Sequence, residues 1–392
     1  MKNKNILMIA YSEYSRDARI RREAEALTEI GCAVDFFVLQ EDNISQINTN
    51  INLIPLGLKQ YRGNSNIKYI ISYLNFFCQA FIQLLWLYPN KKYKIIYTHN
   101  MPDFIVFLGL IPKLFGSKLI HDVHDLMPDI YKSKFKSSFA NIIYYLLLVQ
   151  EKISCMLADK IITVSDIGFD ILTNQHNIRS DKIAIIRNFA DKNIFSPMKL
   201  STDKNNDFNL IHHGTISDRF GLRYIIEEMK IICKKYSNVK LHFYGKGDGK
   251  EELILNEMIK DNKLTKNVFL HGQIQLDEIP RKINWADVGI VSYKKDPSTD
   301  IFTPLKLLEY IAMEKPIVTV HTKAIAMLVK DAKLLYYDNG TEDSFNNAIT
   351  SLITNKGKIN LLKKEAIKLN KQINWAKEKI VLQEIVNTLL KH

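Results

Sequence analysis

Asn209-Leu210-Ile211-His212-His213-Gly214-Thr215-Ile216-Ser217-Asp218-Arg219-Phe220-Gly221-Leu222 reads as a strand, a glycine turn and the start of a helix. Apolar residues of strand length run into Gly214, the loop carries Arg219, and from about Leu222 the pattern Tyr224-Ile225-Ile226-Glu227-Glu228-Met229 has helical spacing. The unit recurs along the chain. Short apolar runs at 6–10, 34–39, 94–98, 118–121 and 160–164 form one set, and runs at 209–212, 240–244, 268–270, 288–291, 316–320 and 334–336 form another. Alternation of such runs with amphipathic stretches predicts an α/β protein with parallel sheets covered by helices on both faces. Residues 196–207 are polar, contain Pro197 and lack apolar periodicity, which marks a boundary. The expectation is two doubly wound domains, 1–195 and 206–373. Ligands of such sheets bind beyond the carboxyl ends of the strands, so a cleft between the domains is the expected site.

A length of 392 residues suits two domains, and a composition 46% hydrophobic and 24% charged can bury two cores. A formal net charge of +12 attracts anions of several kinds: nucleic acid, acidic lipid surfaces or phosphorylated small molecules. Nucleic acid is disfavoured, because the lysines are scattered and the aromatics sit in apolar helical stretches. Cys32, Cys78, Cys155 and Cys233 are far apart and show no zinc spacing, so they are read as reduced thiols of a cytosolic protein. The apolar run after Met1-Lys2-Asn3-Lys4-Asn5 is too short for a signal-peptide core, which again predicts a cytoplasmic location.

Three stretches, 67–88, 104–115 and 135–150, are unusually apolar and aromatic. The first has the length of a membrane span, but Lys68, Asn75, Gln79 and Gln83 interrupt it. Tyr131-Lys132-Ser133-Lys134-Phe135-Lys136 followed by Ile142-Ile143-Tyr144-Tyr145-Leu146-Leu147-Leu148 pairs basic residues with an apolar face, as helices lying on an anionic membrane do. A helix packed on its own domain has the same pattern.

In Thr303-Pro304-Leu305-Lys306-Leu307-Leu308-Glu309, threonine fits the N-cap and proline the first helical position. Lys306 then falls in the first turn, where a cation opposes the helix dipole unless an anion shares the space. A bound phosphate reverses that penalty. Glu309, three residues on, can accept two hydroxyl hydrogens, as a ribose offers. Taken alone, the segment is equally an ordinary capped helix with an exposed Lys–Glu pair. Its neighbours add weight: Gly214 permits close backbone approach, Arg219 offers donors suited to a pyrophosphate, and Gly245-Lys246-Gly247 ends another presumed strand.

Together these residues resemble the retaining, metal-independent glycosyltransferases of the GT-B fold, in particular the large family four. The resemblance runs through Asp17-Ala18-Arg19-Ile20, His121-Asp122-Val123-His124-Asp125-Leu126-Met127-Pro128-Asp129, Ala158-Asp159-Lys160 and Asn188 in the first half. It continues through His213-Gly214-Thr215-Ile216, Arg219-Phe220-Gly221-Leu222, Gly245-Lys246-Gly247, Ala286-Asp287-Val288-Gly289 and the most specific stretch, Lys306-Leu307-Leu308-Glu309-Tyr310-Ile311-Ala312-Met313-Glu314-Lys315-Pro316. It implies two facing Rossmann-like domains, with 374–392, beginning at Asn374-Trp375, crossing back to the first. It implies a nucleoside-diphosphate sugar as donor substrate, with no cofactor or metal and a saccharide or lipid-linked acceptor. Arg219 and Lys306 would hold the pyrophosphate, Glu309 the ribose, and Gly214, Thr215, Gly245, Gly247, Thr303, Pro304 and Leu305 would line the donor site. His124 would meet the donor sugar. Two departures stand out: the first of the family's paired glutamates is matched by Ile301, and the loop Tyr11-Ser12-Glu13-Tyr14-Ser15-Arg16 lacks glycines. A nucleotide-sugar epimerase of the same fold is the rival reading.

Overall fold

The computed structural model describes the chain except residues 1–3, 42–48, 62, 64, 135–137, 200–205, 248, 297–298, 331 and 392. Two compact units divide it: Met1–Asn188 with Trp375–His392, and Phe189–Asn374. Residues 200–205 of the stretch read as a boundary lie outside the described residues. The division itself comes earlier, after Asn188, because Ala190 and Phe195 are buried in the second unit's core with Ile194 packed against it.

Among the described residues, the first unit holds seven parallel strands: β1 (Asn5–Ile9), β2 (Ala33–Val38), β3 (Ile51–Pro55), β4 (Ile95–His99), β5 (Lys118–Val123), β6 (Lys160–Thr163) and β7 (Ile183–Ile185). Their order is β3-β2-β1-β4-β5-β6-β7. The sequence reading lacked β3 and β7. Both are edge strands, where one neighbour is enough to order a segment and a continuous apolar run is not required; β3 even closes on Pro55, which an edge tolerates.

Helix Ala18–Glu29 starts where the Asp17 carboxylate accepts the Arg19 and Ile20 N–H groups, and buries Ile20, Ala24 and Leu27 at helical spacing. It covers one sheet face beside helix Trp375–Lys391, whose Leu382, Ile385 and Val386 enter the same core. Arg22 lies over the Trp375 ring, and Lys379 pairs with Glu29 at 2.6 Å. The chain's last helix therefore belongs to the first unit. The opposite face is covered by helix Asn66–Lys91, through Phe76, Ala80 and Leu84, and by the segment containing Ile105, Val106 and Leu108. Within the former, Ile67–Lys91 is long and apolar enough to cross a membrane, among the described residues.

Among the described residues, the second unit holds six parallel strands: β8 (Phe208–His213), β9 (Val239–Tyr244), β10 (Val268–Leu270), β11 (Val288–Val291), β12 (Ile317–Val320) and β13 (Leu335–Tyr337). Their order, β10-β9-β8-β11-β12-β13, reverses direction between β8 and β11. At such a reversal the connections leave to opposite sides and open a crevice at the strands' carboxyl ends.

Candidate functional site

The crevice between β8 and β11 is where Gly214, Arg219, Tyr293 and Lys306 come together. Beyond β8, Gly214 N–H donates to the Tyr244 carbonyl at 2.9 Å and Ile216 N–H to the Lys246 carbonyl at 3.3 Å, so the loops after β8 and β9 are laced together. A Cβ on Gly245 would stand 1.7 Å from the Gly214 carbonyl oxygen, and one on Gly247 1.8 Å from that of Ile216. The lacing is possible only with glycine at both positions.

Helix Leu305–Ala312 follows β11 and points its first turn into this crevice. It begins one residue later than the sequence predicts. Pro304 takes the cap position, with Leu307 N–H bonded to its carbonyl at 3.0 Å, and Thr303 is half-buried and does not cap the helix. Leu305 is exposed at the first helical position, and Thr215 is exposed beside Gly214.

Lys306 and Glu309 are not the exposed pair a capped surface helix carries; their relative exposures are 7% and 8%. Lys306 Nζ lies 3.1 Å from His212 Nε2 and 4.2 Å from the centre of the Phe220 ring. A Cβ on Gly214 would come 3.6 Å from that nitrogen. Burial lowers the Lys306 pKa to about 7; attraction to Glu309 opposes the shift and repulsion from Arg219 adds to it. Burial likewise raises Glu309 to about 7, and pushes His213 down to about 3. His213 Nε2 is 3.2 Å from Glu309 Oε2 but out of hydrogen-bonding alignment. Arg219 is exposed, with its guanidinium 5.1 Å from the Phe220 ring and 5.9 Å from the Tyr293 ring. Two cations therefore share one aromatic corner, which costs free energy until an anion enters. Lys315 has a different fate: its Nζ donates to the Asn284 and Ala286 carbonyls, a structural clasp.

His124 lies in the first unit, just beyond the carboxyl end of β5, and is buried. Its Nε2 stands 3.2 Å from His99 Nδ1 and its Nδ1 3.4 Å from Asp122 Oδ1. Its Nε2 is thus engaged with His99, while its Nδ1, near Asp122, is out of hydrogen-bonding alignment. Beneath it, Tyr97 OH donates to Glu23 at 2.7 Å and reaches Asp122 at 3.4 Å. Burial, reinforced by the neighbouring carboxylate Asp122, raises Glu23 to about 8, and burial raises Asp122 to about 7 while lowering His99 to about 4. Burial thus pushes the carboxylates and imidazoles of this cluster toward their neutral forms, beside the charged Arg19, which opposes the shift at both carboxylates. His99, Asp122 and His124 could by composition hold a metal ion. The two imidazoles, however, are within 10° of parallel with facing nitrogens 3.2 Å apart, which is the arrangement of an N–H···N hydrogen bond.

Sequence reasoning missed His212, Phe220 and Tyr293 around Lys306, and Glu23, Tyr97 and His99 beneath His124. Tyr97, His99, His212 and Tyr293 sit in or beside apolar strand runs, Phe220 in a polar loop and Glu23 on the charged first helix, and none has a spacing signature. The one available signal was topological: His99, His212 and Tyr293 lie at or just past the carboxyl ends of strands, where a parallel sheet gathers polar groups.

Two parallel-sheet α/β units with a cationic crevice beyond the strand ends define a glycosyltransferase of the GT-B type, and the comparisons agree. Residues 18–193 match the family described as Glycosyltransferase Family 4, and residues 207–355 the one described as Glycosyl transferases group 1. The chain belongs to this family of glycosyltransferases. It is 21% identical, over 86% of its length and 79% of the relative's, to chitobiosyldiphosphodolichol beta-mannosyltransferase of Candida glabrata. Among solved structures it resembles sucrose-phosphate synthase of Thermosynechococcus elongatus, with a TM-score of 0.77 at 16% identity over 99% of both chains. It also resembles Anabaena Alr3699/HepE in complex with UDP-glucose, with a TM-score of 0.69 at 14% identity over 98% of this chain and 99% of that one.

Proposed function

We propose that this glycosyltransferase is retaining and metal-independent, and moves a sugar from a nucleoside-diphosphate sugar to a saccharide or lipid-linked acceptor in surface polysaccharide assembly, on the cytoplasmic side of the membrane. The observation that carries the donor assignment is Lys306. A buried ammonium whose hydrogen-bond partner is an imidazole is costly, and a diphosphate is the anion that offsets it. Arg219 adds a second donor fork on the same aromatic corner, and the turn at Gly214 leaves room for the phosphates. Glu309, whose pKa burial raises to about 7, is suited to two ribose hydroxyls. The UDP-glucose bound to the Anabaena protein supports the donor class, and the diphosphodolichol in the name of the Candida glabrata relative supports a lipid-linked acceptor.

In this reading the bond from the sugar's anomeric carbon to the diphosphate oxygen breaks as Lys306, Arg219 and the helix start meet the developing negative charge. The acceptor hydroxyl bonds to the same face of the anomeric carbon, and its proton passes to the departing phosphate. Those cationic groups supply what a divalent ion supplies elsewhere, so no cofactor is invoked.

Turnover of Glu309→Ala and Lys306→Ala, each expected to fall at least roughly a hundredfold, tests the site. Near-normal transfer by both overturns it. Chelator is expected to leave the rate unchanged, the product to keep the donor's anomeric configuration, and donor incubated alone to yield no epimer. Stimulation by magnesium, an inverted product or an epimerised donor would each replace the corresponding part of the proposal.

A further inference from the structure

Two helices of the first unit turn apolar residues outward. In Ser138–Leu157 the exposed apolar positions are Ile142, Tyr145, Leu146, Val149, Ile153 and Met156, which, apart from the adjacent pair Tyr145 and Leu146, follow one another at intervals of three or four, the spacing of a single helix stripe. Its inward side is mixed, with Ala140, Glu151, Ser154 and Cys155 buried and Glu151 bonded to His176 at 2.6 Å. A helix facing water carries polar residues outward, and this one carries an apolar row there instead.

Helix Asn66–Lys91 carries apolar residues on both its inward and its outward side, interrupted outside by Lys68, Asn75 and Gln79. Phe76, Ala80 and Leu84 bury one side in the sheet, while Ile67, Ile70, Ile71, Leu74, Ile82 and Trp86 lie at least 49% exposed on the other. Because the inner side is committed to the core of the sheet, the helix cannot cross a bilayer without dismantling that core. It can lie on one. Segment Asp103–Gly109 lies between the two helices: Phe104 stacks edge-on against Phe77, and Ser154 bonds to the Asp103 carbonyl. Just beyond it, Leu114 and Phe115 are 85% and 75% exposed. All three elements therefore share one side of the unit. An apolar surface of this extent is not left open to water in a monomeric soluble domain.

The charge on this side identifies its occupant. From 66 to 118 the chain carries Lys68, Lys91, Lys92, Lys94, Lys113 and Lys118 against one acidic residue, Asp103, which is fully buried. Lys91 and Lys113 are paired with Asp35 and Asp159; Lys92 and Lys94 are exposed and line a cavity of about 640 Å³ with Phe81, Leu84, Leu85 and Phe115. These cavity residues flank the amino ends of β4 and β5, opposite the strand ends that carry His99 and His124.

We propose that the outward side of helices Asn66–Lys91 and Ser138–Leu157, with Leu114 and Phe115, seats the protein on an anionic phospholipid bilayer, and that the cavity beside Lys92 and Lys94 admits a lipid whose phosphate meets those lysines. The helices lie parallel to the membrane surface, with apolar rows in the acyl boundary and lysines among the headgroups. This goes beyond the choice of acceptor and does not depend on it.

The test uses the full chain and vesicles of phosphatidylcholine, alone or mixed with phosphatidylglycerol. The chain is expected to sediment with the mixed vesicles, to release in high salt, and to have Trp86 fluorescence quenched by lipids brominated on the acyl chain. A triple variant, Trp86→Gln, Leu114→Gln and Phe115→Gln, is expected to lose at least about tenfold in vesicle affinity. It keeps its nucleoside-diphosphate affinity, which separates a failure of docking from a failure of folding or of the donor site. Absence of binding to the mixed vesicles overturns the proposal. So does a stable dimer that the triple variant dissociates, since a second copy would then cover this face.

Discussion

Replacing Lys306 by methionine separates a ligand-binding cation from a structural one. The Lys306 pKa is about 7, against an ordinary 10.5, because its ammonium is buried. A shift of that size means that at pH 7 the buried lysine costs about 4 kcal/mol relative to the unfolded chain. Attraction to Glu309 is already included in that balance, and its loss leaves Glu309, itself raised to about 7, free to take a proton. Methionine keeps the packing against Phe220 and sheds the charge. After allowing for imperfect packing we expect a net gain of ~1–2 kcal/mol, a rise of roughly 3–6 °C in the Tm of a unit this size. Nucleoside-diphosphate binding and turnover should collapse at the same time. Differential scanning fluorimetry without ligand, at pH 7 and again above pH 10, is the assay. The gain should shrink as pH rises and vanish only well above 10.5, where lysine is neutral in both states. A variant several kcal/mol less stable than the parent would refute the reasoning, since that is the signature of breaking a structural buried pair.

The same group sets a pH dependence for binding: a diphosphate favours charged Lys306, so its affinity should fall as pH rises above about 7, followed by calorimetry in buffers of different ionisation enthalpy. Glu23 is raised from 4.5 to about 8, so its contribution to stability is full below pH 4.5 and is lost as pH rises through 8. Glu23→Gln should therefore be more stable than the parent at pH 8, by ~2 kcal/mol or more, and match it near pH 4 in denaturant titrations. Gly245→Ala drives a Cβ into the Gly214 carbonyl and should cost ~2 kcal/mol or more while weakening nucleotide binding, seen in Tm and titration together.

Where a residue's role depended on its own strand or turn, the sequence was readable. Alternating apolar runs gave the interior strands of both sheets, and Asp17 capped the helix it precedes. Two family motifs proved architectural: Asp287 accepts the Asn209 N–H at 2.8 Å and Asp159 the Leu119 N–H at 2.8 Å, each tying a strand start to its neighbour. Gly289 sits under Tyr310, whose ring a Cβ would meet at 2.7 Å. Lys306 and Glu309 were found from the sequence as a pair, but their burial was not, because it depends on His212 and His213 at the end of β8 and on Phe220 in the loop after it, about ninety residues away in the chain. The edge strands β3 and β7 and the cluster beneath His124 escaped for the same reason. Their residues acquire meaning only from strands or helices that lie far off in the chain. The outward apolar stripe of 142–156 was visible as a pattern, yet which of its faces points outward is decided by packing.

Calorimetric titration of UDP and of GDP into the full chain, in the presence of chelator, tests the donor site most directly. The account predicts saturable binding of one of them at one site per chain, weakened at least about tenfold by Lys306→Met and by Arg219→Ala. Binding of neither nucleotide, or equal affinity in the parent and both variants, would contradict it.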